Sequence, residues 1–204
     1  MASENAIWLK ISGVCGIITP IIAYTFILLA INYYPPFSWT DNALSDLGVV
    51  KGITSVLFNS GLIIAGILTL VFATGLFRFL NEKATGKIGG LLFILAALAL
   101  TAIGVFPENF GEIHFYVSVA FFVFSPLAMF SFSAAFTQTG NARLGVFTFL
   151  VALIAALVWI IHWTIPFGKG VAIPETLSSL SASVWSIVVG FKMLKASSHS
   201  TNKP

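Results

Sequence analysis

The charged residues of this chain stand far apart, and the gaps between them limit what it can fold into. Lys10 and Asp41 enclose 30 uncharged residues, Lys51 and Arg78 enclose 26, and Lys87 and Glu108 enclose 20. Glu112 to Arg143 leaves 30, Arg143 to Lys169 leaves 25, and Glu175 to Lys192 leaves 16. A helix needs about 20 apolar residues to cross the hydrocarbon core of a bilayer. Lys192 lengthens the shortest gap, because a long lysine side chain can reach back to the interface. Six membrane helices are therefore predicted, over approximately 8–33, 54–79, 87–106, 114–136, 145–166 and 174–194. Strands are excluded at these lengths, since an open sheet would expose unpaired backbone groups to lipid.

Composition points the same way. Hydrophobic residues make up 58% of the 204 and charged residues 8%, against about 25% charged in soluble domains. Soluble enzymes, nucleic-acid-binding modules and disulfide-rich secreted domains are excluded. The expected fold class is all-α, a polytopic membrane protein built as one six-helix bundle over residues 1–196. The polar tail, 197–204, is expected to be disordered. The first apolar run continues through IITPIIAYTFILLAINYY, too long for a signal peptide, and is kept as a membrane helix. Cys15 has no partner for an internal disulfide.

With six helices, both termini share a side with the second and fourth connections. That side carries Lys10, Arg78, Lys83, Lys87, Arg143, Lys192, Lys195 and Lys203, whereas the other carries Lys51 and Lys169. The bias puts both termini in the cytoplasm of a multi-pass cell-membrane protein. The acids sort oppositely: five of seven, Asp41, Asp46, Glu108, Glu112 and Glu175, fall on the outer side. His114 and His162 also sit at outer helix ends. A functional site is expected there.

In the first outer loop, PPFSWTDNALSDLG, Pro35 and Pro36 end the helix. Ser45 and Asp46 suit turn and capping positions; alternatively, Asp46 is a ligand or base facing the bundle mouth. Asn59-Ser60-Gly61 can pack helices or line a cavity. Glu108 and Glu112 share a face if their segment is helical. Ionisable groups at membrane depth are rare and tend to be functional. Asp46, His114 and Glu108 are the catalytic candidates. Ser45, Asn59, Glu112 and Glu175 are the substrate-binding candidates. His114, His162 and Asp46 match in type and number the three ligands of a catalytic zinc, so a divalent metal such as zinc is the cofactor they would take. HExxH and CxxC spacings are absent, as are the glycine-rich and P-loop motifs of nucleotide or flavin sites. Ser45, His114 and Asp46 are also the residue types of a nucleophilic triad, without its spacing.

ALSDLG, FNSGLIIAG, and GVFPENFGEIH followed by a phenylalanine-rich helix occur here in that order. In these elements the chain resembles the prokaryotic membrane family numbered 998 among domains of unknown function. It is similar, more distantly, to Frag/DRAM/Sfk-type six-helix membrane proteins. The resemblance covers roughly residues 8–194. It implies a six-helix bundle with an Asp-bearing first outer loop, at Ser45 to Gly48, and a histidine, His114, opening the fourth helix. Eukaryotic relatives of the wider group act in glycolipid-anchor remodelling or in membrane physiology, which implies lipid-linked work. A basic residue expected near the late acid is missing from IPETLSSLS, around Glu175.

Three functions fit these residues. The first is a membrane-embedded hydrolase, lipid-modifying enzyme or lipid-binding protein, taking a phosphate or ester headgroup at its outer site. The second is a non-catalytic assembly or sensory subunit. The third is a small-solute or proton-coupled transporter, which needs a polar route through inner helix halves that are nearly all apolar. The partner expected is membrane lipid, not nucleic acid; a homo-oligomer and a membrane partner protein both stay open.

Overall fold

The structure, a computed structural model, describes residues 2–201. Its helices are α1 (Ala2–Asn32), α2 (Ile53–Phe79), α3 (Ala84–Val105), α4 (Glu112–Gln138), α5 (Ala142–Thr164) and α6 (Ala172–Thr201). All six are long and apolar enough to cross a membrane. A helix pairs its backbone within one segment, so each apolar run can enter lipid without stranding an amide. No strand occurs among the described residues. Two short 3-10 turns, Leu44–Gly48 and Glu108–Phe110, lie in connections at one end.

Pro35 and Pro36 follow the end of α1, where a missing N–H and restricted preceding backbone stop a helix. Gly111, at φ 58°, occupies the left-handed region between the second 3-10 turn and α4. The polar segment 197–201, expected in a disordered tail, instead continues α6. The Ser197 and Ser198 hydroxyls donate to the Leu194 carbonyl, so these side chains bond to the helix rather than compete with it. Residues 202–204, including Lys203, lie outside the described residues.

Each helix packs on its chain neighbours, and α6 closes the ring on α1. One end of the bundle carries the connections 33–52, 106–111 and 165–171; it is called the acidic end here. The basic end carries the connections 80–83 and 139–141 and both termini. The α1–α6 seam rests on two glycines. A Cβ on Gly13 would meet the Gly190 carbonyl oxygen at 2.8 Å, and one on Gly190 would meet the Gly13 oxygen at 2.7 Å. Small residues let backbones approach where lipid supplies no hydrophobic drive between helices.

Two separate apolar clusters fill the bundle. In one, Trp185 stacks on Phe132 with centroids 5.7 Å apart and meets Phe93 edge-on at 5.3 Å. The fully buried indole donates from Nε1 to Thr148 Oγ1 at 3.1 Å. The other surrounds the first 3-10 turn, with Leu47 fully buried among Ile27, Phe58, Leu62 and Ile103.

Gly190→Val should push α6 off α1 and cost about 1–3 kcal/mol, as overpacking does. Thermal melting of detergent-solubilised protein checks it; an unchanged midpoint would mean the two backbones are not in contact.

Candidate functional site

The acidic end is built on the loop between α1 and α2. Such irregular backbone beside a bilayer must satisfy every amide and carbonyl internally. Gly170 N–H donates to the Thr40 carbonyl and Ala172 N–H to the Asn42 carbonyl, both at 2.9 Å. Those bonds lay the loop against the start of α6. The Leu44 amide, first in the 3-10 turn, donates to Glu175 Oε2 at 2.6 Å. Glu175 lies in the first turn of α6 and is buried. From α2, Asn59 Nδ2 donates to the Gly48 carbonyl at 2.9 Å. Asp46 Oδ2 accepts from Ala43 N–H at 3.1 Å and from Asn42 Nδ2 at 2.6 Å. The loop is thereby held by its own side chains and by two helices.

This loop and the second 3-10 turn meet. Glu108 lies beside Asp46 and Ser45, close enough for both to act on its carboxyl. Glu175 lies within electrostatic reach of Glu108 and Asp46. Partial burial, then the Asp46 hydrogen bond and charge, push the Glu108 carboxyl up to about 7, while Ser45 opposes the rise. A carboxyl tuned near neutrality beside a second carboxyl can exchange a proton at physiological pH.

Next to Ser45 and Glu175 a cavity of about 120 Å³ is lined by residues of both apolar clusters. Ser45 and Glu175 line its acidic-end side, and Phe72 and Phe93 of the aromatic cluster line it deeper. One wall is polar. Ser179, Ser183 and Ser186 of α6 line it together with Tyr24 of α1. Tyr24 Oη lies 2.9 Å from Ser179 Oγ and donates to the Thr176 carbonyl at 3.1 Å. Each of the three serine hydroxyls donates to a carbonyl of its own helix. Their remaining capacity is as acceptors.

Ser45, Asp46, Glu108 and Glu175 are thus gathered, with Asn59 behind them holding the loop. Glu112 is exposed in the first turn of α4. His114 is engaged elsewhere: its Nδ1 donates to the Phe106 carbonyl at 2.8 Å, and its Nε2 lies 3.3 Å from Ser118 Oγ. It clamps the end of α3 to the start of α4. His162 lies among the rings of Trp159, Trp163 and Phe167, and its Nδ1 accepts from Phe167 N–H at 3.4 Å. The metal set expected from the sequence, His114, His162 and Asp46, is therefore not assembled. No three His, Cys, Asp or Glu among the described residues are grouped to hold a metal ion.

Sequence reasoning missed Tyr24, Asn42 and the α6 serines. Positions 175, 179, 183 and 186 fall on one helix face, and that spacing in IPETLSSLSASVWS was the available signal.

Two outcomes follow. A glutamate held above its ordinary value of 4.5 binds its proton more tightly when folded, so its stabilising effect is complete below about 4.5 and is lost as pH rises through about 7. Glu108→Gln should flatten the fall in melting temperature across that window. A fall as steep as in the wild type would refute the raised value. His114→Ala strands the Phe106 carbonyl and should cost about 1–3 kcal/mol at any pH. Denaturation at two pH values separates the two effects.

A family model described as "Protein of unknown function (DUF998)" matches residues 17–192. No curated protein and no solved structure matches the chain. The matched stretch takes in α2 to α5 whole, most of α6, the second half of α1 and every residue of the acidic-end site; the chain belongs to this family of membrane proteins of unknown function.

Proposed function

We propose that this is a lipid-handling protein of the cell membrane, with both termini cytoplasmic. An amphiphilic bilayer molecule places an apolar segment in the cavity and its polar end against Ser45, Asp46, Glu108 and Glu175. The observation carrying this reading is that one cavity is lined both by the apolar clusters and by Ser45 and Glu175. Its size limits what enters. A cavity of about 150 Å³ accommodates benzene, so 120 Å³ accepts one ring or a short chain segment. The rest of the molecule lies between helices or in the bilayer.

The lining also selects the polar end. The Glu175 carboxyl and a row of serine acceptors in the lining, with Asp46 and Glu108 close to Glu175, favour a group that donates hydrogen bonds, such as a hydroxyl or an amine. A phosphate, considered from the sequence alone, meets carboxylates of its own sign there. In the enzyme reading, Glu108 gives or takes the proton, Asp46 is the neighbouring carboxyl that raises its proton affinity, and Ser45 beside it opposes that rise. A one-sided site is favoured over a transport route by the aromatic packing of Phe72, Phe93, Phe132 and Trp185 beneath the cavity.

Ala65 lines the cavity and is fully buried. Ala65→Leu should fill the space, hold or raise the melting temperature, and abolish copurification of an amphiphile seen by native mass spectrometry of the wild type. Glu108→Gln should leave that binding in place and lower complementation of a host deletion by about 100-fold, the scale of lost acid–base catalysis. Equal amphiphile in wild type and Ala65→Leu would overturn the binding reading. Full complementation by Glu108→Gln would leave binding without proton transfer.

A further inference from the structure

The basic end carries a second, independent feature. A groove of about 740 Å³ opens between the start of α5 and the last turns of α6. Arg143, Lys192 and Lys195 line it, with Leu144, Val188 and Phe191 as its apolar wall. Arg143 and Lys195 are exposed, and Lys192 is half-buried. Lys192 Nζ donates to Asn141 Oδ1 at 3.1 Å, which uses one of the three donors an ammonium carries. No Asp or Glu among the described residues lines the groove. Its volume falls within the range of ligand pockets, about 300–1,000 Å³. Val188 and Phe191 are exposed on a membrane-spanning segment of α6, where acyl chains lie.

We propose that this groove binds the phosphate of an anionic glycerophospholipid, with Arg143, Lys192 and Lys195 on the headgroup and an acyl chain along Val188 and Phe191. Three cations from two helices, without a countercharge, set the sign of the ligand. The adjoining apolar wall selects a lipid over a soluble anion. A guanidinium can hold two phosphate oxygens at once, and the two ammonium groups act as point charges beside it. Basic pockets between membrane helices hold lipid headgroups by this chemistry. The site lies at the opposite end of the bundle from Glu108 and does not depend on what occupies the cavity there.

The test is lipid titration of delipidated protein in nonionic detergent, read by native mass spectrometry. The ligands are phosphatidylglycerol, phosphatidylcholine and inorganic phosphate. Phosphatidylglycerol should bind the wild type at least about tenfold more tightly than phosphatidylcholine, at about fivefold for each cation engaged. The double variant Arg143→Gln, Lys195→Gln should lose that preference; it leaves the Lys192 bond to Asn141 intact, so folding is preserved. The double variant Lys83→Gln, Lys87→Gln removes the same charge from exposed positions at the same end and should keep the preference. Equal binding of the two lipids overturns the proposal. So does equal loss in both double variants, which would make net charge the cause. Displacement of phosphatidylglycerol by equimolar inorganic phosphate would make this a soluble-anion site and overturn it as well.

Discussion

The hydrogen bond from the Leu44 amide to Glu175 joins the irregular part of this chain to the regular part. A twenty-residue loop at a membrane surface cannot leave its amides to lipid, and most of its residues are not in a helix that would pair them. Glu175 supplies an acceptor from the first turn of α6, and Asn59 supplies a donor from α2 to the Gly48 carbonyl. With both ends of the 3-10 turn pinned, Leu47 is driven into the bundle and Ser45 and Asp46 are held toward Glu108. The site is thus a consequence of backbone satisfaction. The same acid that closes the loop also lines the cavity beneath it.

That cavity lies between the two apolar clusters, with Phe121 packed against both. On one side Trp185, Phe93 and Phe132 pack ring against ring. The acidic-end cluster is organised by Leu47 and Phe58 around the loop. Pro20 of α1 and Pro126 of α4 lie in helices whose residues line the gap. Each removes one helix hydrogen bond by lacking an N–H. Protein interiors are normally packed as densely as crystals, so a void of this size beside Glu175 departs from the packing of the rest of the bundle.

The helices were legible in the sequence because lipid imposes one length and one secondary structure on an apolar run. Residues gathered from sequence-distant loops were legible too: Asp46, Glu108 and Glu175 sort to one end by helix parity alone. Side-chain direction was not. His114 and His162 also sort to that end, yet rotation about α4 turns His114 onto the Phe106 carbonyl, and α5 buries His162 among aromatic rings. A gap count carries no rotational information, so it cannot distinguish a histidine that faces a site from one that locks a helix junction. The α6 serines were hidden for another reason. Their spacing shows a face, but a small hydroxyl beside apolar residues serves helix packing and cavity lining equally well until the neighbouring helices are placed. The start of the tail is polar in sequence, and the Ser197 and Ser198 hydroxyls bond to the helix they extend.

The opposed charges at the two ends have different origins. A surplus of lysine and arginine on one side is what membrane insertion selects, and any position on that side satisfies it. Insertion does not account for Arg143, Lys192 and Lys195 meeting around one groove, with apolar residues beside them and no acid among them. Aspartate and glutamate contribute little to orientation. The gathering of five of seven acids on the other side therefore needs a separate cause. Three of those five, Asp46, Glu108 and Glu175, lie within electrostatic reach of one another, and Glu175 lines a cavity. Mutual repulsion makes such a cluster unfavourable unless protons and amides compensate it. Glu108, held near neutrality, and Glu175, bonded to the Leu44 amide, show that compensation residue by residue. Glu175 is there to close the loop, and the cost of bringing Asp46 and Glu108 beside it is offset by the bonds that hold that loop.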